Sequence, residues 1–467
     1  MGLLNLFKMK RFAGILCFSL LAWLSAGEAW GQATAPEVAF VNVSVIPMTG
    51  KRVLRNQTVL VRGPVVYKIG PSKKIKPIDG ALVIDGTGKY LMPGISEMHA
   101  HIPVPAGGND ELVQETLLLY LSNGITIIRG MLGDPYHLGL QDKISTGKVL
   151  GPRIYTSSPS LNGNTVKTPD EARQKVAQYK KEGYDFLKIH PGITLPVMEA
   201  LVQTAKEAGI PFAGHVPVEV GVRKAIEMGY ASIDHLDGFV EGLVPESAHP
   251  DFAQSGLFGY NFTNLADSRR IPELVKAVKK AGVWIVPTQS LLAQWTSPMP
   301  GVEMTNLPEM RYMASATLVQ WRTAKQQQLQ NPRFNADTSK AYIALRQRIL
   351  REMQKQKVGL LLGSDAPQVG NVPGFSIQRE MQALSEAGLS NYTILQSGTA
   401  NPARFFGVEG VYGTIIRGAT ADLLLLEGNP LDDIRQMERI AGVMSQGRWI
   451  SKGWLAQRLA IIEAKYR

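Results

Sequence analysis

The chain of 467 residues changes its hydrophobic rhythm twice. In VAFVNVSVIPM and QTVLVRGPVVYKIG apolar and polar residues alternate with a period of two between turns rich in Gly and Pro, which predicts short antiparallel strands. The same texture returns in GTIIRGATADLLLLEGN and RIAGVMSQGRWISKG near the other end. Two strand-rich ends around a long middle predict one small β-sandwich domain assembled from residues 32–90 and 408–467. From 91 to 407 short apolar runs alternate with amphipathic helical stretches such as 170–182, 195–208, 218–228 and 271–280. Eight of those runs read as strands: LMPGISEMHAH, GITIIRG, RIYTSSP, DFLKIH, PFAGHV, SIDHL, WIVPT and GLLLGSD. Eight strand and helix units over roughly 300 residues predict an α/β fold of the (β/α)8 TIM-like barrel type, and no GxGxxG turn or Walker loop speaks for an open doubly wound sheet. The stretch 289–356 is long for one connection and reads as two helices, one of them an insertion that serves as a lid or as a structural cover.

The first residues follow another pattern. Lys8, Lys10 and Arg11 precede an apolar stretch from 12 to 24 and then small and polar residues, the layout of a secretory signal over 1–31 with cleavage after Gly31. That stretch is short for a membrane span, so the expectation is an exported protein, periplasmic or secreted, with no stable span after cleavage. Cys17 is the only cysteine and falls inside the signal, which removes cysteine nucleophiles and disulfides from consideration. A hydrophobic content of 45% suffices for a large core. The formal charge of +11 is spread over pairs such as Lys73-Lys74, Arg269-Arg270 and Lys279-Lys280, a solvated basic surface and not a nucleic-acid footprint. The expected partner is a small-molecule substrate, and a homo-oligomer stays open.

The chemistry concentrates at the ends of the apolar runs. His99 and His101 close the first barrel strand in SEMHAH, Lys188 lies in DFLKIH, His215 in FAGH, His235 in SIDH and Asp365 in LLLGSDA. Four of the seven histidines thus sit where catalytic residues of a barrel collect, and nitrogen and oxygen donors of this kind suit divalent ions such as zinc. Residues two apart on a strand share a face, so His99 and His101 point together toward the barrel mouth. His190 is a candidate for substrate contact. Arg129, at the end of the second strand, either pairs with a substrate carboxylate or is structural. His137 and His249 have no partner pattern and read as surface residues.

With GKYLMPGISEMHAH, GHV, DHL, GSDA, NPARFFG and GTIIRGATADLLLLEGNPLDDI in this order, the chain resembles the amidohydrolase superfamily of metal-dependent hydrolases, in the branch of imidazolonepropionase-like and prolidase-like enzymes. The resemblance implies two divalent metal ions, zinc by preference. His99, His101 and Asp365 would hold one, His215 and His235 the other, and Lys188, carboxylated on its amino group, would bridge them. An ammonium cannot ligate a cation, whereas a carbamate can. Two ions lower the pKa of a bridging water and polarise a carbonyl, and Asp365 would shuttle the proton to the leaving nitrogen. The expected reaction is hydrolysis of a C–N bond in an amide or dipeptide. The alternatives are a lactone, cyclic amide, carbamate or phosphoester on the same metals, or a non-catalytic ligand-binding envelope protein.

Overall fold

The computed structural model describes residues 37–467. The expected signal over 1–31 lies outside the described residues. Among the described residues, no helix is long and apolar enough to cross a membrane.

Five strands come first: β1 (Glu37–Val45), β2 (Leu54–Arg62), β3 (Val65–Pro71), β4 (Leu82–Asp85) and β5 (Tyr90–Pro93). Seven follow in the middle: β6 (Ile95–Ala100), β7 (Ile125–Gly130), β8 (Arg153–Leu161), β9 (Phe186–Ile189), β10 (Phe212–Gly214), β11 (Ser232–Asp234) and β12 (Trp284–Val286). Three close the set: β13 (Leu423–Leu426), β14 (Ile440–Ser445) and β15 (Arg448–Ser451). The terminal strands form one mixed sheet in the order β15-β14-β13-β5-β1-β2-β3, with β4 added beside β1. In β1 the residues Val38 to Val41 pair with β4 and Ser44 and Val45 pair with β5. Asn42 stands at the change of partner with φ 57°, a bulge that the asparagine side chain tolerates in the left-handed region. Both arms bury their apolar residues in one core that joins Phe40, Val59, Val61, Leu91, Leu423, Leu425 and Met444.

The middle strands form a parallel sheet in sequence order from β6 to β12, with helices between them. Local signals set those helices. The helix Pro169–Glu182 begins with a capping box of Thr168 and Glu171, with Pro at its first turn, and ends on Gly183 at φ 94°. Its successor Leu195–Ala208 buries Val197, Met198, Leu201, Val202 and Ala205, one stripe of a 3.6-residue period, and packs beside it.

The eighth run predicted from the sequence is not a regular strand, yet it closes the ring. Ile285 N–H donates to the carbonyl of Gly359 at 2.9 Å and Leu361 N–H to that of Ile285 at 2.8 Å on one side. On the other side Met98 N–H donates to Leu362 O, Asp365 N–H to His99 O and His101 N–H to Ala366 O, each at 2.8 Å. The ladder is irregular because Asp365 takes φ 63°, which no extended strand accommodates. At Gly363 a Cβ would stand 2.8 Å from the His99 nitrogen and 2.5 Å from Val286, so only glycine lets this segment press against β6 and β12.

The stretch 289–356 holds more helix than the two segments expected: Gln289–Thr296, Gly301–Met304, Ser315–Gln330 and Ala336–Gln356. Ala336–Gln356 packs on the helix Ile271–Ala281 in the outer ring. Ser315–Gln330 is tied down by Lys325, whose buried ammonium donates to the carbonyls of Gln294, Trp295 and Ser297 at 2.7–2.8 Å and so caps the C-terminus of Gln289–Thr296.

Candidate metal centre

The parallel strands bring six side chains to one end of the barrel. His99 belongs to β6 and Lys188 to β9, while His101, His215 and His235 directly follow β6, β10 and β11, and Asp365 lies on the closing segment. Asp365 is the hub. Its Oδ1 lies 2.6 Å from His101 Nε2 and 3.3 Å from His99 Nε2, and its Oδ2 lies 3.9 Å from His235 Nδ1. Donor atoms of His99, His235 and Asp365 lie within 4.8 Å of one another, a group able to hold a metal ion. The ring of His235 is 4.5 Å from that of His99 and 4.7 Å from that of His215, so His235 stands between the two halves of the cluster. Strained backbone gathers here: Asp365 and His235 both have φ 63°, and Leu236 and Thr288 have φ 55° and 44°. Such conformations persist only where the surroundings enforce them, and they gather at functional sites.

The electrostatics favour neutral donors. Burial, followed by the field of Lys188, pushes His215 down to about 3. Burial likewise holds His99 and His235 well below the ordinary imidazole value. A neutral imidazole keeps a lone pair for a cation. Several of the atoms have no hydrogen-bond partner despite being buried: both ring nitrogens of His99, Nδ1 of His101, Nε2 of His235 and Nζ of Lys188. Buried polar atoms are nearly always paired, so an orphaned cluster of this size is the signature of a group that binds there. Burial brings the Lys188 amine down to about 8, which makes its neutral, CO2-reactive form accessible.

Partners behind these side chains orient them. Thr288 Oγ1 lies 2.9 Å from His235 Nδ1, and Asp237 Oδ2 lies 3.1 Å from His215 Nδ1, which turns the Nε2 of each ring away from its partner. Buried Glu97 accepts from the backbone N–H groups of His99 and Ser364 at 3.1 and 2.9 Å and from Ser364 Oγ at 2.7 Å, joining β6 to the segment that carries Asp365. Arg346, wholly buried on the helix Ala336–Gln356, donates to the carbonyls of His235 at 2.7 Å and Pro287 at 2.8 Å and to Gln289 Oε1 at 2.9 Å.

Of the two readings of Arg129, the structure supports the structural one. Its guanidinium is fully buried and donates to Met98 O at 2.6 Å, Ser232 Oγ at 2.9 Å and Asp234 Oδ1 at 3.1 Å, so no face is left for a substrate carboxylate. Asp234 in turn sets its Oδ2 3.1 Å from His99 Nδ1, without hydrogen-bond geometry. His190 does reach the cluster, with its ring 5.0 Å from that of His215. Its Nδ1 is 2.5 Å from Ser160 Oγ, which also accepts from Asn162 Nδ2 at 2.8 Å. His137 is not a surface residue: it is buried on the helix Pro135–Ser145, because that helix turns its apolar face and the histidine inward together. His249 is exposed, as expected.

Sequence reasoning missed Glu97, Asp234, Asp237, Thr288, Arg346 and Phe258. A signal existed for the first two, since Glu97 shares a strand face with His99 and His101, and Asp234 adjoins His235. Phe258 covers the histidines, its ring nearly parallel to that of His215 at 5.7 Å and 5.0 Å from that of His235. A cleft of about 630 Å³ lies elsewhere: its lining by Trp284, Gly359, Leu360 and Arg404 puts it at the start of the strands, the end opposite the histidines.

Residues 90–450 match the Amidohydrolase family. No curated protein matches the chain. Among solved structures, a protein described as a prolidase from Bifidobacterium longum is similar at 24% identity over 92% of this chain and 99% of its own, with a TM-score of 0.64. The bottromycin amidohydrolase is similar at 22% identity over 92% and 90% of the two chains, with a TM-score of 0.69. A Xaa-Pro dipeptidase bound to methionine is similar at 20% identity over 89% and 100%, with a TM-score of 0.63. At these identities the likeness is one of fold.

Proposed function

The chain belongs to the amidohydrolase family, and from that membership we propose that it is an exported two-metal hydrolase cleaving a C–N bond of an amide in a small molecule. The observation that carries the reading is the cluster of buried, unpartnered imidazole nitrogens around Asp365 and Lys188. That donor set fits the ions the family implies: His99, His101 and Asp365 would hold one, His215 and His235 the other, with a carboxylated Lys188 between them. Zinc suits such a mixture of imidazole and carboxylate donors. When bound, the ions acidify water and polarise a carbonyl. The names of the similar prolidase and amidohydrolase structures support an amide as substrate. Export rests on the signal-like pattern of residues 1–31 alone.

The chain's own residues divide the remaining work. Asp365, 2.6 Å from His101 and on strained backbone, takes the proton of the attacking water at its carboxylate and delivers it to the leaving nitrogen. Asp237 and Thr288 fix which nitrogen of His215 and His235 faces the centre. His190, anchored through Nδ1 by Ser160, offers its other nitrogen to the substrate.

The test is metal analysis combined with turnover. Protein purified without chelator should carry about two equivalents of transition metal. Asp365→Asn should retain most of it while losing amide hydrolysis. An Asp365→Asn variant with wild-type turnover refutes the role of the aspartate, and protein that takes up no metal after supplementation refutes the two-metal reading.

A further inference from the structure

Phe258 occupies an improbable conformation for its position. It lies in the short helical turn Leu257–Phe262 with φ 49° and ψ 42°, a left-handed geometry that a bulky side chain avoids. Gly256 and Gly259 flank it with φ 72° and 78°, and neither tolerates a side chain. A Cβ would stand 2.6 Å from Asn261 Nδ2 at the first and 2.5 Å from Val240 Cβ at the second. The barrel helix Ala336–Gln356 locks the turn from behind. Tyr342 Oη donates to the carbonyl of Phe258 at 3.2 Å, and Tyr260 Oη donates to that of Asn335 at 2.9 Å. A strained residue held this firmly is held for the placement of its ring, and the ring lies across His215 and His235.

The loops after β6, β7, β10 and β11 open at the same end of the barrel as the histidines, and they expose Val104, Leu132, Val218 and Leu257, each between 44% and 53%. The guanidinium groups that reach the wall of the site are committed: Arg129 to Asp234, Ser232 and Met98, and Arg346 to three acceptors of its own. Lys188 is held for the metal centre in the reading above. A carboxylate beside the scissile amide therefore loses water without gaining either guanidinium as a partner.

We propose that Phe258 is a specificity-determining residue, and that it selects substrates whose group beside the scissile amide is apolar and uncharged. Free dipeptides and N-acyl amino acids with an ionised carboxylate are then poor substrates, and their neutral, capped counterparts are good ones. This rests on the reading of the site as an amide hydrolase. The ring provides the flat apolar face on which the neutral group packs, and the rim of Val104, Leu132, Val218 and Leu257 admits it.

The experiment compares matched pairs on the metal-loaded protein: N-acetyl-L-phenylalanine against its methyl ester, and Ala-Pro against its methyl ester, following release of the N-terminal acyl group. The capped member of each pair should be favoured in kcat/KM by about tenfold or more. Phe258→Ala should cut kcat/KM for the capped members by about tenfold, the value of one lost aromatic contact, and narrow the preference at unchanged metal content. Phe258→Leu, which keeps an apolar group, should recover part of the preference. A preference for the free acids, or one that Phe258→Ala leaves intact, overturns the inference. Hydrolysis of none of the four by fully loaded protein counts against the amide reading instead. Competition binding of N-benzylacetamide and phenylacetate then decides the present point: tighter binding of the neutral ligand, weakened in Phe258→Ala, supports it, and tighter binding of the anion overturns it.

Discussion

Replacing Arg346 with methionine tests whether the helix that leads into the closing segment holds the proposed metal centre in place. The arginine is wholly buried, and it donates to His235 O at 2.7 Å, Pro287 O at 2.8 Å and Gln289 Oε1 at 2.9 Å. Methionine keeps the apolar stem and removes all three donors, leaving three acceptors without a partner in a site closed to water. Each orphaned buried acceptor costs about 1–3 kcal/mol. All three acceptors are neutral, so the losses together come to about 3–9 kcal/mol, the lower end applying where the site relaxes. The carbonyl of His235 is the critical one, because that residue sits at φ 63° and relaxes toward an ordinary conformation once released. The expectation is therefore double: a loss of about 4 kcal/mol in urea denaturation of the metal-free protein, and weaker metal binding in a competition titration with a chromophoric chelator. Lysine at the same position keeps the charge but not the planar fork and should fall between the two. Arg346→Met that loses less than about 1 kcal/mol and binds metal as the wild type does would refute the reasoning.

Two further outcomes follow from buried ionisable groups. Lys188→Met removes an amine that has no partner in the protein, so the metal-free variant should be as stable as the wild type or more so, while metal stoichiometry falls; retention of two equivalents would exclude a bridging role, and a carbamate signal after 13C-bicarbonate labelling of the wild type would support it. Glu241 is pushed up to about 7, mainly by burial and then by Asp237, and its Oε2 is buried without a partner although the residue as a whole is partly exposed. Its raised pKa means that its full contribution to stability is present below the ordinary value of 4.5 and is lost as pH rises through about 7. Glu241→Gln should thus gain on the wild type between pH 4.5 and pH 8, by at most about 3 kcal/mol at 1.36 kcal/mol per unit; a stability difference in urea that does not change with pH contradicts the shift.

What was legible in the sequence was what local pattern encodes. The alternation around VAFVNVSVIPM and LLLLEGN marked the terminal sheet, and the histidines at the ends of apolar runs marked the barrel mouth, because strand direction alone takes them there. The closing segment was found as an apolar run but not as an irregular one, since φ 63° at Asp365 follows from its hydrogen bond to His99 across the ring and not from its neighbours in GSDA. Arg129 was ambiguous for a related reason: Asp234, which engages its guanidinium, is over a hundred residues away, and the meeting depends on β7 and β11 facing each other inside the barrel. Phe258 and Arg346 carried no signal at all. One sits in a loop whose shape is imposed by contacts, and the other is a cation on a helical face that periodicity assigns to apolar side chains.

The barrel helix Ala336–Gln356 joins these two unread residues, which permits a separation of effects. Tyr342 and Arg346 are four residues apart and so project from one face of Ala336–Gln356, the first toward Phe258 and the second toward His235. If the helix served only as packing, disturbing either residue would lower stability and activity in parallel. If it sets the ligands through Arg346 and the apolar platform through Tyr342, the consequences divide. Tyr342→Phe deletes one hydroxyl that donates to Phe258 O at 3.2 Å and lies at the limit of bonding, 3.4 Å, from Arg346. Its cost should be about 1 kcal/mol, the usual net value of a single neutral hydrogen bond. Metal content should stay at the wild-type level while the preference for capped over free-acid substrates narrows, because the released turn no longer fixes the ring over His215. A Tyr342→Phe variant that loses metal in proportion to its stability, with its preference intact, would instead make the helix a cover with no part in selection.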